Sequence, residues 1–211
     1  MLILGFGCSF TQGTGVKEDD CWLANIAKNL QCQYINFGNA GNSNFAIAQN
    51  FAHFFNYEFH MYDEPPLVIV GWTQVDRMSW WDEATNHWIH SGQADTRETS
   101  AWIKLVDGRF KDTRKEWLAY SQSGNQPLTD SAKLLVNNHC EFNNIKFLQF
   151  NALGEHHTYH NYKNYYLPDK DTSSFLKDKE RIGKGDLHPN EQGHIHIANR
   201  LIKFIKDSKI I

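Results

Sequence analysis

Hydrophobic positions recur with two periods. Leu2 to Phe6 forms a short apolar run closed by Gly7, and Tyr34 to Phe37, Leu67 to Val70 and Lys146 to Phe150 are similar runs; they read as buried strands. Helical spacing separates them. From Asp19 or Asp20, the residues Trp22, Leu23, Ile26, Ala27 and Leu30 share one face; Phe45, Ala48, Phe51, Ala52, Phe55 and Phe59 share another until Pro65 and Pro66 end it. Ala132, Leu135, Val136 and Cys140 mark a helix over roughly 129–142, and Ile197, Ala198, Leu201, Ile202 and Ile205 mark a last one from about Pro189, a residue suited to a first helical turn. The contiguous apolarity of Leu67 to Val70 suits a parallel sheet covered on both faces. Strands alternating with helices predict one domain, a three-layer α/β/α sandwich with a mostly parallel, flavodoxin-like sheet. Residues 72–127 and 154–185 break the rhythm and read as insertions with helices of their own.

Composition narrows the function classes. The 211 residues are 41% hydrophobic and 21% charged, which gives enough apolar surface for a packed core. A formal net charge of −3, with Lys and Arg scattered, offers no footprint for a phosphate backbone, so nucleic acid is not expected as a partner. The start lacks a basic segment and a small-residue cleavage site, and no apolar run nears the ~18 residues of a membrane span. A soluble protein without a secretion signal, cytoplasmic by default, is expected. Cys8, Cys21, Cys32 and Cys140 are far apart with no CxxC pair, so reduced, buried thiols are expected.

In an open parallel sheet, ligands bind at the carboxyl ends of strands. Three polar, glycine-bearing segments fall there: GCSFTQG after the first strand, GNAGNSN after the second and GWTQVDR after the third. A fourth, GDLHPNEQGH, precedes the last helix. Neither GFGCSF nor GTGVKED completes a dinucleotide or P-loop pattern. The cluster His156, His157 and His160 has metal-compatible spacing without a supporting cysteine or carboxylate pattern, and no metal or other cofactor is expected. Cys8 adjoins Ser9, but strand alternation turns it to the opposite face.

These four segments, in this order, resemble the blocks of the SGNH (GDSL-like) hydrolases, a family of esterases and lipases, from Gly7 to about Leu201. The resemblance implies Ser9 as the nucleophile, with its N–H and that of Gly41 as oxyanion donors, and His188 as the general base. That constellation suits acyl transfer, which needs a nucleophile, a base within reach and donors aimed at the developing oxyanion. Two positions depart from the family pattern. Thr73 stands where the family has an asparagine as third oxyanion donor, leaving a hydroxyl for that task or a substitute from Asn42, Gln74 or Arg77. Gly185 stands where the family has the histidine-orienting aspartate, whereas Asp186 lies two residues before His188; either a local backbone shift lets Asp186 orient the imidazole and complete the catalytic set, or Ser9 and His188 act as a dyad.

Each residue also has a plainer reading. Ser9 can cap a turn, His188 can be a surface histidine, Gly41 can serve a tight turn, and Asp76 with Arg77 can form a local ion pair. His194 and His196 suit packing or solvent. Trp72, Trp80, Trp81, Trp88, Trp102 and Trp117 cluster in the first insertion, where flat rings suit either a sugar or the insertion's own core. Asn42, Trp72 and Arg77 are the candidate substrate contacts. The expected activity is hydrolysis of an acyl ester, with a small-molecule or glycan ester as substrate, for example an O-acetylated carbohydrate. A noncatalytic module that keeps the fold and an acyltransferase using the same serine are the alternatives.

Overall fold

The computed structural model describes residues 1–62, 64–75, 77–82, 87–91, 109–154, 163–183 and 185–211. A five-stranded sheet forms its centre, built from β1 (Leu2–Gly7), β2 (Gln33–Gly38), β3 (Leu67–Trp72), β6 (Phe147–Asn151) and β7 (Tyr165–Asp171). The order is β2-β1-β3-β6-β7 and every pairing is parallel, the doubly wound arrangement expected from the sequence. Strand order reverses between β1 and β3, and in open parallel sheets ligands bind outside the carboxyl ends of the strands at such a switch point.

Helices cover both faces. Along β3, Leu67 and Ile69 join one core with Trp22, Leu23 and Ile26 of α2 (Trp22–Leu30) and Ile197, Leu201 and Ile205 of α5 (Glu191–Asp207). Val68, Val70 and Trp72 join the other, with Ile47 and Phe51 of α3 (Asn44–His53) and Val136 and Cys140 of α4 (Arg109–Phe142). This alternation is the period-two geometry of a strand buried on both sides. Each fully buried Leu, Ile or Val side chain contributes about 1.5–3 kcal/mol through its burial.

Several expectations need correction. The second insertion contains β7, the fifth strand of the central sheet, so residues 154–185 are not wholly an insertion. α4 starts at Arg109 rather than near Thr129, with Pro127 inside it, and residues 78–91 contain an antiparallel pair, β4 (Met78–Asp82) with β5 (His87–Ser91). A second pair joins β8 (Arg181–Gly183) to β9 (Asp186–Pro189). Pro189 therefore ends a strand; Asn190 is the cap of α5, its side chain accepting from the Gly193 N–H at 3.1 Å. Phe45 and Leu135, assigned to apolar faces, are both exposed.

Candidate active site

β1 delivers its carboxyl end into α1 (Ser9–Gln12), a single turn stopped by Gly13 in the left-handed region. The turn is tight because Gly7 carries no side chain: a Cβ there would fall on the Thr11 hydroxyl. Asn36 braces the turn by donating to the Thr11 carbonyl at 2.9 Å and accepting from the Gly38 N–H at 2.9 Å. Ser9 is thus the first helical residue, and Cys8 beside it is fully buried in the α2/α5 core.

The β8/β9 pair brings His188 to this turn from the far end of the sequence. Ser9 Oγ and His188 Nε2 are 2.8 Å apart, and His188 Nδ1 lies 2.7 Å from Asp186 Oδ1. An ionised carboxylate only accepts, so Nδ1 carries the hydrogen and Nε2 is left to accept from the Ser9 hydroxyl. The same Asp186 oxygen accepts the His188 backbone N–H at 2.9 Å, a local turn that fixes carboxylate and ring together. Burial pushes the Asp186 carboxyl up, but the hydrogen bonds from the His188 backbone and ring, with the ring's charge, hold it below its ordinary value. Gly185, at the family's aspartate position, sits at φ 87° with open space around it.

Gly41 adopts φ 83°, a conformation that favours glycine, in the turn where Asn42 N–H donates to the Asn39 carbonyl. Among the described residues, neither the Ser9 nor the Gly41 N–H makes a backbone hydrogen bond. Thr73 follows β3 and is fully buried; its N–H donates to Asn44 Oδ1 at 2.8 Å, its carbonyl accepts from Asn44 Nδ2 at 2.9 Å, and its hydroxyl has no partner among the described residues.

No family model and no curated protein matches the chain. Solved structures do. TesA aligns over 99% of both chains at 10% identity with a TM-score of 0.56. The psychrotrophic esterase EstA from Pseudoalteromonas sp., in a structure inhibited by monoethylphosphonate, aligns over 98% of this chain and 97% of its own, at 12% identity and a TM-score of 0.53. A carbohydrate esterase family 2 enzyme with a carbohydrate-binding domain, from Corynascus thermopiles (Myceliophthora fergusii), covers 99% of this chain with 66% of its own, at 12% identity and a TM-score of 0.53. The chain has an SGNH-hydrolase-like fold.

Within that SGNH-like fold, two of the expected substrate contacts are turned inward. Trp72 is fully buried and donates its indole N–H to Gln149 Oε1 at 2.9 Å. Strand parity explains this: Trp72 shares a face with Val68 and Val70, so its ring joins the α3/α4 core. Asn42 is buried as well, and its side chain donates to the Gly7 carbonyl at 3.0 Å, bracing the end of β1. Gln74 packs where a Cβ on Gly154 would stand. Arg77 is half-buried, and its Nη1 is buried with no acceptor among the described residues. Asp76, His156, His157 and His160, and Trp102, lie outside the described residues, so the expected ion pair and the histidine cluster have no structural account.

Three residues absent from the expected site sit against it. The Phe10 ring lies 5.0 Å from that of His188. Trp22 donates its indole N–H to the Phe10 carbonyl at 3.0 Å, and the Trp22 backbone N–H donates to His194 Nδ1 at 3.1 Å. His194 was readable as a core residue, since it shares helical spacing with Ile197, Ala198, Leu201 and Ile205. His196, one turn-face away, is half-buried with its Nδ1 3.2 Å from Glu180 Oε2.

Proposed function

We propose that the protein is a serine esterase that hydrolyses small acyl esters through an acyl-enzyme on Ser9. The observation that carries this reading is the continuous line Ser9 Oγ, His188 Nε2, His188 Nδ1, Asp186 Oδ1, with links of 2.8 Å and 2.7 Å. His188 takes the hydroxyl proton as Ser9 Oγ bonds the ester carbonyl carbon, and Asp186 holds the resulting imidazolium. As the tetrahedral intermediate collapses, the proton passes from His188 to the departing alkoxide. Water then repeats the sequence on the acyl-enzyme, releasing the acid and restoring Ser9.

The Ser9 and Gly41 N–H groups are the oxyanion donors in this reading, and the unpartnered Thr73 hydroxyl is the third. Each such donor is worth about 10²–10³ in rate. Arg77, half-buried after β3, is the remaining candidate substrate contact in this reading, although its Nη1 is buried. The named specificity of the family 2 carbohydrate esterase supports a carbohydrate ester as the substrate class, although Trp72 lends it no ring.

Labelling with a fluorophosphonate probe and mass mapping tests the assignment. Stoichiometric modification of Ser9 is expected, and Ser9→Ala and His188→Ala should each abolish hydrolysis of p-nitrophenyl acetate while keeping the native circular dichroism. Unchanged turnover in either variant refutes it. The buried Thr73 hydroxyl, in place of a longer carboxamide, favours a second reading: a binding module that retains the fold. That reading requires an unlabelled Ser9.

A further inference from the structure

His188 and Ser9 are 179 positions apart, and the contacts that bring them together extend behind the site in a closed ring. Six residues after His188, His194 projects from α5 into the interior and is fully buried. Its Nδ1 accepts the Trp22 N–H, so the ring hydrogen sits on Nε2, which has no partner among the described residues. The Trp22 N–H needs this acceptor because Trp22 is the first residue of α2, where backbone donors have no helical partner.

Trp22 passes the connection on. Its indole N–H reaches the carbonyl of Phe10, and that carbonyl is free to accept because α1 is one turn long: Gly13 and Thr14 both donate to the Ser9 carbonyl instead. Phe10 follows Ser9 in sequence and lays its ring 5.0 Å from the His188 ring, tilted by 34°. The ring is then complete: Ser9, Phe10, Trp22, His194, the capped start of α5, His188 and back to Ser9. Trp22, Phe10 and His194 are at most 2% exposed, so water does not compete for these bonds.

We infer that Trp22 and His194 are positioning residues that hold the Ser9 turn and the His188 strand at their reactive separation. The inference rests on the serine-esterase reading above. Neither residue touches the reacting atoms. Trp22 fixes the turn by its carbonyl, and His194 fixes Trp22 to the helix that His188 leads into. Displacements of about 1 Å in such a pair cost on the order of 100-fold in rate.

The experiment compares Trp22→Phe, His194→Leu and His194→Asn in the full chain. Trp22→Phe keeps the ring and loses the indole donor; His194→Asn keeps an acceptor that His194→Leu removes. Rates of p-nitrophenyl acetate hydrolysis and of fluorophosphonate inactivation are measured on folded protein, quantified by near-UV circular dichroism. Trp22→Phe and His194→Leu should each lower kcat by about 10- to 100-fold with KM within about threefold of the parent, and slow inactivation in step, with partial recovery in His194→Asn. A kcat per folded molecule within threefold of the parent in both Trp22→Phe and His194→Leu overturns the inference, even if their thermal stability falls.

Failure of the underlying reading gives a different pattern, because the parent protein itself would neither hydrolyse the ester nor take up the probe. The ring is then read by ¹⁵N NMR of the His188 Nδ1–H, which a fixed imidazole shows as a slowly exchanging signal. Its loss in Trp22→Phe supports the positioning role, and an unchanged signal refutes it.

Discussion

Replacing Asp186 tests the least conventional part of the site. Its Oδ1 accepts both the His188 N–H and the ring Nδ1–H, at 2.9 Å and 2.7 Å. A hydrogen bond to a charged group contributes about 1.5–3 kcal/mol, and the imidazolium formed during acylation needs the ring bond most. The Asp186 side chain is 45% exposed, so solvent screening moves the value to the lower end of that range or below it. About 1–2 kcal/mol then corresponds to a 5- to 30-fold loss of kcat/KM in Asp186→Ala. Asp186→Asn separates charge from geometry, since its carboxamide oxygen can still accept the His188 N–H while the negative charge is gone. If charge dominates, Asn and Ala should be equally slow; if orientation dominates, Asn should recover most of the rate. Initial rates with p-nitrophenyl acetate at pH 8, normalised to protein labelled by the fluorophosphonate probe, supply the comparison. An Asp186→Ala enzyme within twofold of the parent, alongside an inert Ser9→Ala control, would show that Ser9 and His188 act as a dyad and refute the role given to Asp186.

Two further predictions concern buried ionisable groups. Lys133 is fully buried with no hydrogen-bond partner for its ammonium among the described residues; the ammonium lies 5.1 Å over the Tyr165 ring, and burial lowers its pKa to about 7 against the opposing pull of Asp130. Lys133→Met keeps the stem and removes the penalty, so it should raise stability at pH 7 by on the order of 2–3 kcal/mol, a gain that fades towards pH 10.5; a lower urea midpoint at pH 7 would contradict this. His194 is held neutral by burial and by His188 nearby, with its pKa lowered to about 4. Below about pH 6.5 the unfolded chain takes up this proton first, so stability is complete above that pH and falls by about 3 kcal/mol towards pH 4. Urea midpoints at pH 7 and pH 4.5 should therefore converge in His194→Asn relative to the parent, and an equal acid loss in both would remove His194 as the cause.

Much of the fold was legible because the inner strands are buried on both faces. Leu67 to Val70 advertises itself as a contiguous apolar run, and β1 and β6 were legible in the same way, while the edge strand β2 was legible from Tyr34, Ile35 and Phe37. β7 was not, because an edge strand needs no such run: its sequence YYLPDKD is mostly polar after two tyrosines and contains Pro168, which a strand edge tolerates. The amino-terminal part of α4 was hidden for a related reason, since its charged and polar residues show no apolar periodicity before Thr129. At the site, Ser9, His188 and Asp186 were readable from local sequence, and the structure brings these three together. Trp72 lies beside the strand end, but strand parity, which sends alternate residues to opposite cores, turns its ring inward with Val68 and Val70. The buried links through Trp22 and His194 join segments 172 positions apart, and no local pattern encodes such a pairing.

The two departures from the SGNH pattern have different structural consequences. The acid has moved one position towards the histidine, and the backbone accommodates it: Gly185 at φ 87° precedes Asp186, which turns back to meet both the backbone and the ring of His188. The Ser9, His188 and Asp186 side chains therefore keep a complete set of contacts. In the same proposal the oxyanion side relies on the buried Thr73 hydroxyl, with no further uncommitted carboxamide placed beside it among the described bonds. The Asn44 carboxamide is bonded to Thr73, yet both its donors are spent on the Thr73 carbonyl and the Thr129 hydroxyl, and Asn42 commits one of its two to the Gly7 carbonyl. A polar group already engaged in a buried hydrogen bond must break it to serve a substrate, at a cost close to what it would gain. Any shortfall in turnover should thus arise where charge develops on the carbonyl oxygen, with proton transfer from Ser9 to His188 left intact. This division follows from which hydrogen bonds are already occupied, and under the serine-esterase proposal it makes the oxyanion side the place where turnover would be decided.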